Sequence, residues 1–377
     1  MDMIPVAPGL SKLETWVRSV VQALWWQPLR ARSLACLMLA APLSWLYRAA
    51  ALGHRLATRA QAPNPLSAAQ NRRSGRARVP TIVVGNWVVG GAGKTPTTLA
   101  LLNHLQRTGW SPGVISRGYG RGSRTAQAVN PRLSVAEEVG DEPLLIAQRG
   151  RVPVVVGQDR CAARDLLLSL APEVDIVLAD DGLQHHRLWR DLSIVVVDER
   201  GVGNGWCLPA GPLRQSVPRH LPQDTLLLYS AGEASLALPG YCAHRQLSAV
   251  QPLSDWAAGR PWPSHGGWDA LKGLELHAAA AIAVPERFFA ALRHQGLDLA
   301  TTHALPDHDP WHTAPWPHGI REVIVTEKDA VKLAPRAASA GNTRLWVARL
   351  DLGLPVDFTQ VLDRRLVALS SLHANRA

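Results

Sequence analysis

Lys94 and Thr95 close a glycine-dense turn in the segment Thr81–Thr95, TIVVGNWVVGGAGKT. Residues Thr81–Val84 predict a buried β-strand, Gly85–Gly93 a turn, and the following PTTLALLNHLQ carries apolar residues at helical spacing. Strand, glycine turn, Lys-Thr and helix form the context of a phosphate-binding loop. Glycines let backbone N–H groups converge on phosphate oxygens, and the helix N-terminus adds partial positive charge. In that reading Gly90, Gly91, Ala92, Gly93, Lys94 and Thr95 cradle the phosphates of ATP. Lys94 reaches the β/γ-phosphates and the Thr95 hydroxyl ligates Mg²⁺. The strict pattern places a glycine five residues before Gly93, where this chain has Val88. The alternative is a glycine-rich turn that only caps a helix.

Three acidic elements could complete the chemistry. Asp180-Asp181 ends the strand-like run Asp175–Ala179. A carboxylate at the C-terminal end of a parallel strand beside a phosphate loop is placed to hold Mg²⁺, with Asp180 the first choice, although paired aspartates also serve as turns or caps. Asp141 lies in Gly140-Asp141-Glu142-Pro143. By residue type alone it is a good helix N-cap, with Pro143 in the first turn. His308 lies in the polar turn Pro306–Asp309, which by itself reads as surface.

The elements that must position these residues alternate between strand and helix. Strand-like runs recur at Gly113–Ser116, Val152–Val156, Asp175–Ala179 and Ser193–Val197, with a helix at Arg160–Leu170. This predicts an α/β fold with a mostly parallel sheet covered on both faces. A second alternating block begins near Gln246, with strands at Ala279–Ala283, near Thr301, at Val323–Thr326 and at Arg344–Ala348, and a terminal helix Asp357–His373. Pro252–Glu275, rich in Pro, Gly, Trp and Ser, reads as a loop insertion. The expected organisation is an N-terminal helix in 1–60, a linker in 61–80, a core in 81–245 and a smaller α/β domain in 246–377.

The net charge of +10 is localised: residues 1–80 hold eleven Arg and Lys against Asp2 and Glu14. The rest of the chain is nearly neutral and carries no reader motif, which excludes a nucleic-acid partner. Trp16, Trp25, Trp26, Trp45 and Tyr47 surround the apolar run Ser33–Tyr47, flanked by Arg30, Arg32 and Arg48. Only fifteen residues separate Arg32 from Arg48, and Pro42 interrupts them. A spanning helix wants about 20 apolar residues. The pattern predicts a helix lying in a membrane interface, with Arg48, Arg55 and Arg59 on one face toward anionic lipid. A spanning anchor with snorkelling arginines and a helix packed on the protein's own core are the alternatives. The four cysteines are scattered, without zinc-ligand spacing.

The ordered set GNWVVGGAGKTP, SRGYGR (Ser116–Arg121), VGDEP (Val139–Pro143), DDGLQHHRLWRD (Asp180–Asp191), GNGWCLPAGPLR (Gly203–Arg214), VPERFF (Val284–Phe289), PDH (Pro306–His308) and TEKDAVK (Thr326–Lys332) closely resembles the tetraacyldisaccharide 4'-kinase family. The resemblance runs from about residue 10 to the terminal helix. It implies a P-loop NTPase-like core, a smaller C-terminal domain and a membrane-associated N-terminal helix, at the cytoplasmic face of the bacterial inner membrane. It implies ATP-dependent phosphorylation of the 4'-hydroxyl of a tetraacylated glucosamine disaccharide 1-phosphate, making lipid IV-A in lipid A synthesis. The family's Mg²⁺-linked pair falls on Asp180 and Asp181, and its general base on Asp141. A histidine of the smaller domain assists; the DH motif makes it His308, with His303 nearby. The family's usual GPLRE ends here in Gln215.

Two rival readings use the same loop. A membrane-bound switch ATPase of the KGGxGKT type needs a lysine before the glycine pair, and this chain has Val89. A P-loop kinase of a soluble substrate would use the N-terminal helix as ordinary core.

Overall fold

The computed structural model describes residues 20–27, 31–60, 79–336 and 342–374. Trp16, Arg30 and the linker segment Gln61–Arg78 lie outside the described residues.

The first sheet is built from β1 (Thr81–Gly85), β2 (Pro112–Ser116), β3 (Gln127–Ala128), β4 (Val154–Val156), β5 (Ile176–Asp180), β6 (Leu192–Val197), β7 (Thr225–Tyr229) and β8 (Tyr241–Cys242). They lie in the order β3-β4-β2-β5-β1-β6-β7-β8. Every pairing is parallel except β3 with β4. β1, β2, β5 and β6 are buried along their whole length, because their near-continuous aliphatic runs are covered on both faces. Alternate residues of β1 feed two cores. Ile82 and Val84 pack with Leu101, Leu102 and Leu105 of the helix α1 that follows the loop, Lys94–Arg107 among the elements of this core. Val83 packs on the other side with Val177, Ala179, Leu167 and Trp87.

The order of strands sets the position of the site. From β1 the chain passes to β2 on one side of the sheet and later to β6 on the other. Ligands bind where strand order reverses, at the carboxyl ends of the strands. The register Val84↔Asp180 places the end of β5 directly beside the start of the glycine turn.

The second sheet has β9 (His244–Pro252), β10 (Leu276–Ala280), β11 (Leu299–Ala304), β12 (Glu322–Thr326) and β13 (Arg344–Gly353), in the order β11-β10-β12-β13-β9. Only β9 runs antiparallel, against β13. The terminal helix Val356–Ala374 does not stay with this sheet. Its Phe358, Leu362 and Leu366 are buried in the core of the first sheet. His104 and Asp363 lie 2.7 Å apart, and Arg365 donates to the Gln223 carbonyl at 2.6 Å. Apolar spacing of four residues fixes a buried helical face but not the sheet that receives it.

The N-terminal helix Ala31–Ala60 runs unbroken through Pro42. Thirty residues make a rod about 45 Å long, and Cys36–Thr58 is long and apolar enough to cross a membrane by length and composition. One stripe of it is docked. Leu37 and Ser44 are buried, the Ser44 hydroxyl donates to the Cys207 carbonyl at 2.7 Å, and the Tyr47 hydroxyl donates to the Arg214 carbonyl at 3.0 Å. Met38, Leu39, Leu43, Trp45, Leu46, Leu52 and Leu56 are exposed. The helix therefore packs one stripe on the protein, as the core-packing alternative requires, and leaves an apolar face exposed, as an interfacial helix requires.

Candidate active site

The glycine turn begins in an extended stretch fixed by a distant strand of chain. Val88 bridges Leu213, Val89 N–H donates to the Pro212 carbonyl at 2.9 Å, and Arg214 N–H donates to the Trp87 carbonyl at 2.7 Å. Trp87 and Val88 are buried in the apolar cluster beneath. This accounts for the missing glycine at 88: the position is a packed, paired residue and not part of the turn. The left-handed backbone needed for the turn comes later, at Gly90 (φ 90°) and Gly93 (φ 87°), and Gly93 caps the helix opened by Lys94 and Thr95. Arg200 donates to the Gly91 carbonyl at 2.6 Å and Ser230 to the Ala92 carbonyl at 3.2 Å. Carbonyl oxygens of the turn are thus directed to protein partners.

Lys94 Nζ lies 3.3 Å from Asn86 Oδ1 and 3.4 Å from Asp181 Oδ1. Asp181, at φ 50°, also receives Arg214 Nη1 at 3.2 Å. Burial raises its pKa, but the charges of Lys94 and Arg214 outweigh burial and hold the carboxyl below its usual range. Asp180 behaves oppositely. It is 1% exposed; burial, with the nearby carboxylates of Glu142 and Asp181, pushes it up to about 7. Its Oδ1 accepts from the Thr98 hydroxyl at 3.0 Å, while Oδ2 is buried with no hydrogen-bond partner. A buried carboxylate oxygen without a donor, beside a second carboxylate, is a donor set suited to a hard divalent cation.

Asp141 and His308 are brought together. His308 Nδ1 lies 3.0 Å from Asp141 Oδ2. His303 sits on β11, with its Nε2 at 3.1 Å from the Thr301 hydroxyl, so His308 is the histidine at the acid. Asp141 is the first residue of the helix Asp141–Gly150, and the cap position belongs to Gly140 at φ 92°. Its Oδ1 accepts from the Glu142 N–H at 2.8 Å at the helix start, and the carboxylate also faces the opposite sheet. Lys332 Nζ lies at 3.6 Å and Lys328 Nζ at 3.9 Å. Burial pushes the Asp141 carboxyl up, yet the His308 hydrogen bond and the two lysines hold it well below the usual carboxylate range. His308 takes a left-handed backbone (φ 63°), and its ring lies 4.8 Å from that of Tyr119 in the SRGYGR loop.

Sequence reasoning missed several groups here. Arg214 closes the GNGWCLPAGPLR motif and pairs with Asp181. Arg160, 4% exposed, donates to the Asp181 carbonyl at 3.3 Å. Lys328, in TEKDAVK, meets Glu142 at 3.0 Å. Arg214 and Lys328 stand inside the motifs quoted above and Arg160 opens the helical run Arg160–Leu170; what was absent was their mutual placement.

Comparison with known proteins fits this arrangement. The profile of the tetraacyldisaccharide-1-P 4'-kinase family matches residues 36–367. The chain belongs to the tetraacyldisaccharide 4'-kinase family. It is 47% identical over 334 residues to the tetraacyldisaccharide 4'-kinase of Methylibium petroleiphilum, covering 87% of this chain and 91% of that one. It is 48% identical over 298 residues to the enzyme of that name from Leptothrix cholodnii, covering 78% and 85%. Among solved structures it is similar to LpxK from Aquifex aeolicus, crystallised with ATP, at a TM-score of 0.64 and 23% identity over 86% of this chain and 98% of that one. At that identity the likeness concerns the fold. As a family member the chain is a kinase of the lipid A pathway.

Proposed function

We propose that this kinase transfers the γ-phosphoryl group of ATP to the 4'-hydroxyl of a tetraacylated glucosamine disaccharide 1-phosphate, giving lipid IV-A. The observation that carries the reading is the Asp141–His308 pair at 3.0 Å, together with the helix start that holds Lys94 and the strand end that holds Asp180. Residues 81–245 serve as the kinase core, and 246–377 as the smaller domain that supplies His308.

Lys94 and the backbone of Gly90–Thr95 bind and orient the triphosphate, so that charge moving toward the β–γ bridge meets a fixed cation. The 4'-oxygen attacks the γ-phosphorus, the bond to the β–γ bridging oxygen breaks, and ADP departs with that electron pair. The hydroxyl proton passes to the Asp141–His308 pair. Asp141, held ionised by its surroundings, is a weak base alone. With Nδ1–H of His308 donated to Asp141, Nε2 is the nitrogen that faces away and can take the proton. Mg²⁺ would be held by Thr95, Asp180 and Asp181, neutralising charge on the β- and γ-phosphates. The exposed apolar face of Ala31–Ala60 lies in the inner-membrane interface, on the cytoplasmic side, with Arg48 and Arg55 toward anionic headgroups.

The test is direct. Full-length protein in detergent, with ATP, Mg²⁺ and the lipid acceptor, should add one phosphoryl group to the acceptor, read by mass. Equal turnover of a deacylated sugar would favour a kinase of soluble substrates. Hydrolysis without transfer would favour a switch ATPase. In the same preparation Arg48→Gln should weaken binding to anionic vesicles about fivefold and leave neutral vesicles unchanged; equal loss on both would remove the headgroup role.

A further inference from the structure

Successive carbonyl oxygens of the glycine turn are each held by a donor of the protein. Asn86 Nδ2 donates to the Gly90 carbonyl at 3.2 Å, Arg200 Nη2 to Gly91 at 2.6 Å and Ser230 Oγ to Ala92 at 3.2 Å. The Gly93 carbonyl receives the Thr97 hydroxyl at 2.8 Å. Among the described residues, no acceptor meets the N–H groups of Gly91, Ala92 and Gly93. Arg200 is the charged member of this row of donors and makes its shortest contact. We propose that Arg200 is a positioning residue for the nucleotide: by pinning the Gly91 carbonyl it keeps the Gly91–Ala92 peptide turned with its N–H toward the triphosphate. The inference rests on the reading of Gly90–Thr95 as the phosphate loop.

In a planar trans peptide the C=O and the N–H point in opposite directions. Fixing the Gly91 oxygen therefore fixes the direction of the Ala92 N–H. The turn cannot do this by itself, because rotation about a residue without a Cβ is cheap. A flipped peptide would present a partly negative oxygen to the phosphates where a donor is needed. Arg200 is held for the task on several sides. It follows the end of β6, and its own N–H and Nε donate to Asp198 at 3.1 and 2.9 Å. Its guanidinium carbon lies 4.5 Å from the centre of the Trp26 ring. Asp198 has no exposed side-chain surface and also receives Arg287, on the helix Pro285–His294, at 2.9 Å. A planar guanidinium donates to Asp198 and to Gly91 at once; an ammonium on a flexible stem does not fix both in one geometry. A residue with a structural role alone would lower stability and the yield of active enzyme, so the test must read affinity for phosphates.

Two measurements on the full-length protein in detergent do so. In calorimetry with ADP and Mg²⁺, Arg200→Met should raise the Kd about tenfold, the loss of one charge-assisted hydrogen bond. In kinetics the same variant should raise KM for ATP about tenfold, with kcat at saturating ATP within about threefold of wild type and KM for the lipid acceptor within about twofold. Arg200→Lys should recover part of the affinity and not all of it. A Kd for ADP within twofold of wild type in Arg200→Met overturns the proposal. So does a fall in kcat with KM for ATP unchanged, and so does full recovery by Arg200→Lys, which would leave charge alone as the cause. Where Arg200→Met fails to fold, Trp26→Leu decides. It keeps every hydrogen bond and removes the ring that holds the guanidinium, so the Kd for ADP should rise about threefold; an unchanged Kd overturns the proposal. If the wild type binds ADP but leaves the acceptor unphosphorylated, the kinase reading fails while the ADP comparison still stands.

Discussion

The two halves of the site are built by opposite strategies. Asp180 and Asp181 come from the end of β5, and Lys94 and Thr95 open the helix that follows the turn after β1, the two strands being tied by the register Val84↔Asp180. Asp141, His308 and Lys328 come from two sheets, and their contacts are ion pairs and hydrogen bonds across the junction. The first half is fixed whenever the core sheet folds. The second exists only when the sheets are packed. In the proposed mechanism that difference separates nucleotide binding, assigned to one sheet, from proton transfer, assigned to the junction of the two.

Substitutions can break the comparison, and the largest effect belongs to the junction. Asp141→Asn should lower kcat by about 10²–10⁴-fold, and His308→Ala combined with it should add little, since paired groups act as one unit. ATP affinity, read by calorimetry, should be unchanged; near-normal turnover would leave the enzyme without its base. Asparagine is as good as aspartate near a helix start, but here it also strips Lys328 and Lys332 of a buried partner, so melting temperature should fall as well. Lys94→Ala comes next, with kcat down at least about 10²-fold. A value within threefold of wild type would sink the phosphate-loop assignment.

The smallest effect concerns Asp180, whose pKa is raised to about 7. A carboxyl raised on folding favours the folded state below its ordinary pKa, and that favour is lost as pH climbs toward 7. Without Mg²⁺, Asp180→Asn should therefore melt higher than wild type at pH 8, by at least about 2 °C, with the gap closing toward pH 5. A gap independent of pH would mean that Asp180 does not titrate in this window. Asp141 has the opposite sign: its depressed pKa contributes stability above the ordinary aspartate value, lost as pH falls below it.

The same contrast governs what the sequence made legible. The loop, its strand and its helix are contiguous, so periodicity and glycine spacing found them, and β2, β5 and β6 were found within a residue or two at each end. β7, Thr225–Tyr229, was overlooked because its short apolar run TLLLY follows a proline-rich stretch and carries no motif. Asp141 looked like a helix cap because residue type and position both allowed it. Only the packing of the sheets shows its carboxylate turned to His308, 167 positions away. Family resemblance named that pair; local physics did not. Arg214 and Lys328 escaped for the same reason, since nothing in a linear motif states which charges it will meet.

The return of the terminal helix to the first core has a mechanical meaning. The chain crosses between the sheets twice, between Cys242 and His244 and again between Gly353 and Val356. These crossings are neighbours, since Gly353 pairs with His244 across the ladder of β13 and β9. The small sheet is therefore tied covalently to the first by two adjacent plies at one spot, while Arg149 reaches Glu327 at 2.6 Å and Arg287 reaches Asp198 at 2.9 Å across the rest of the junction. Those ion pairs, and not the covalent ties, keep His308 at Asp141, whereas Asp180 stays in register with Val84 within a single sheet.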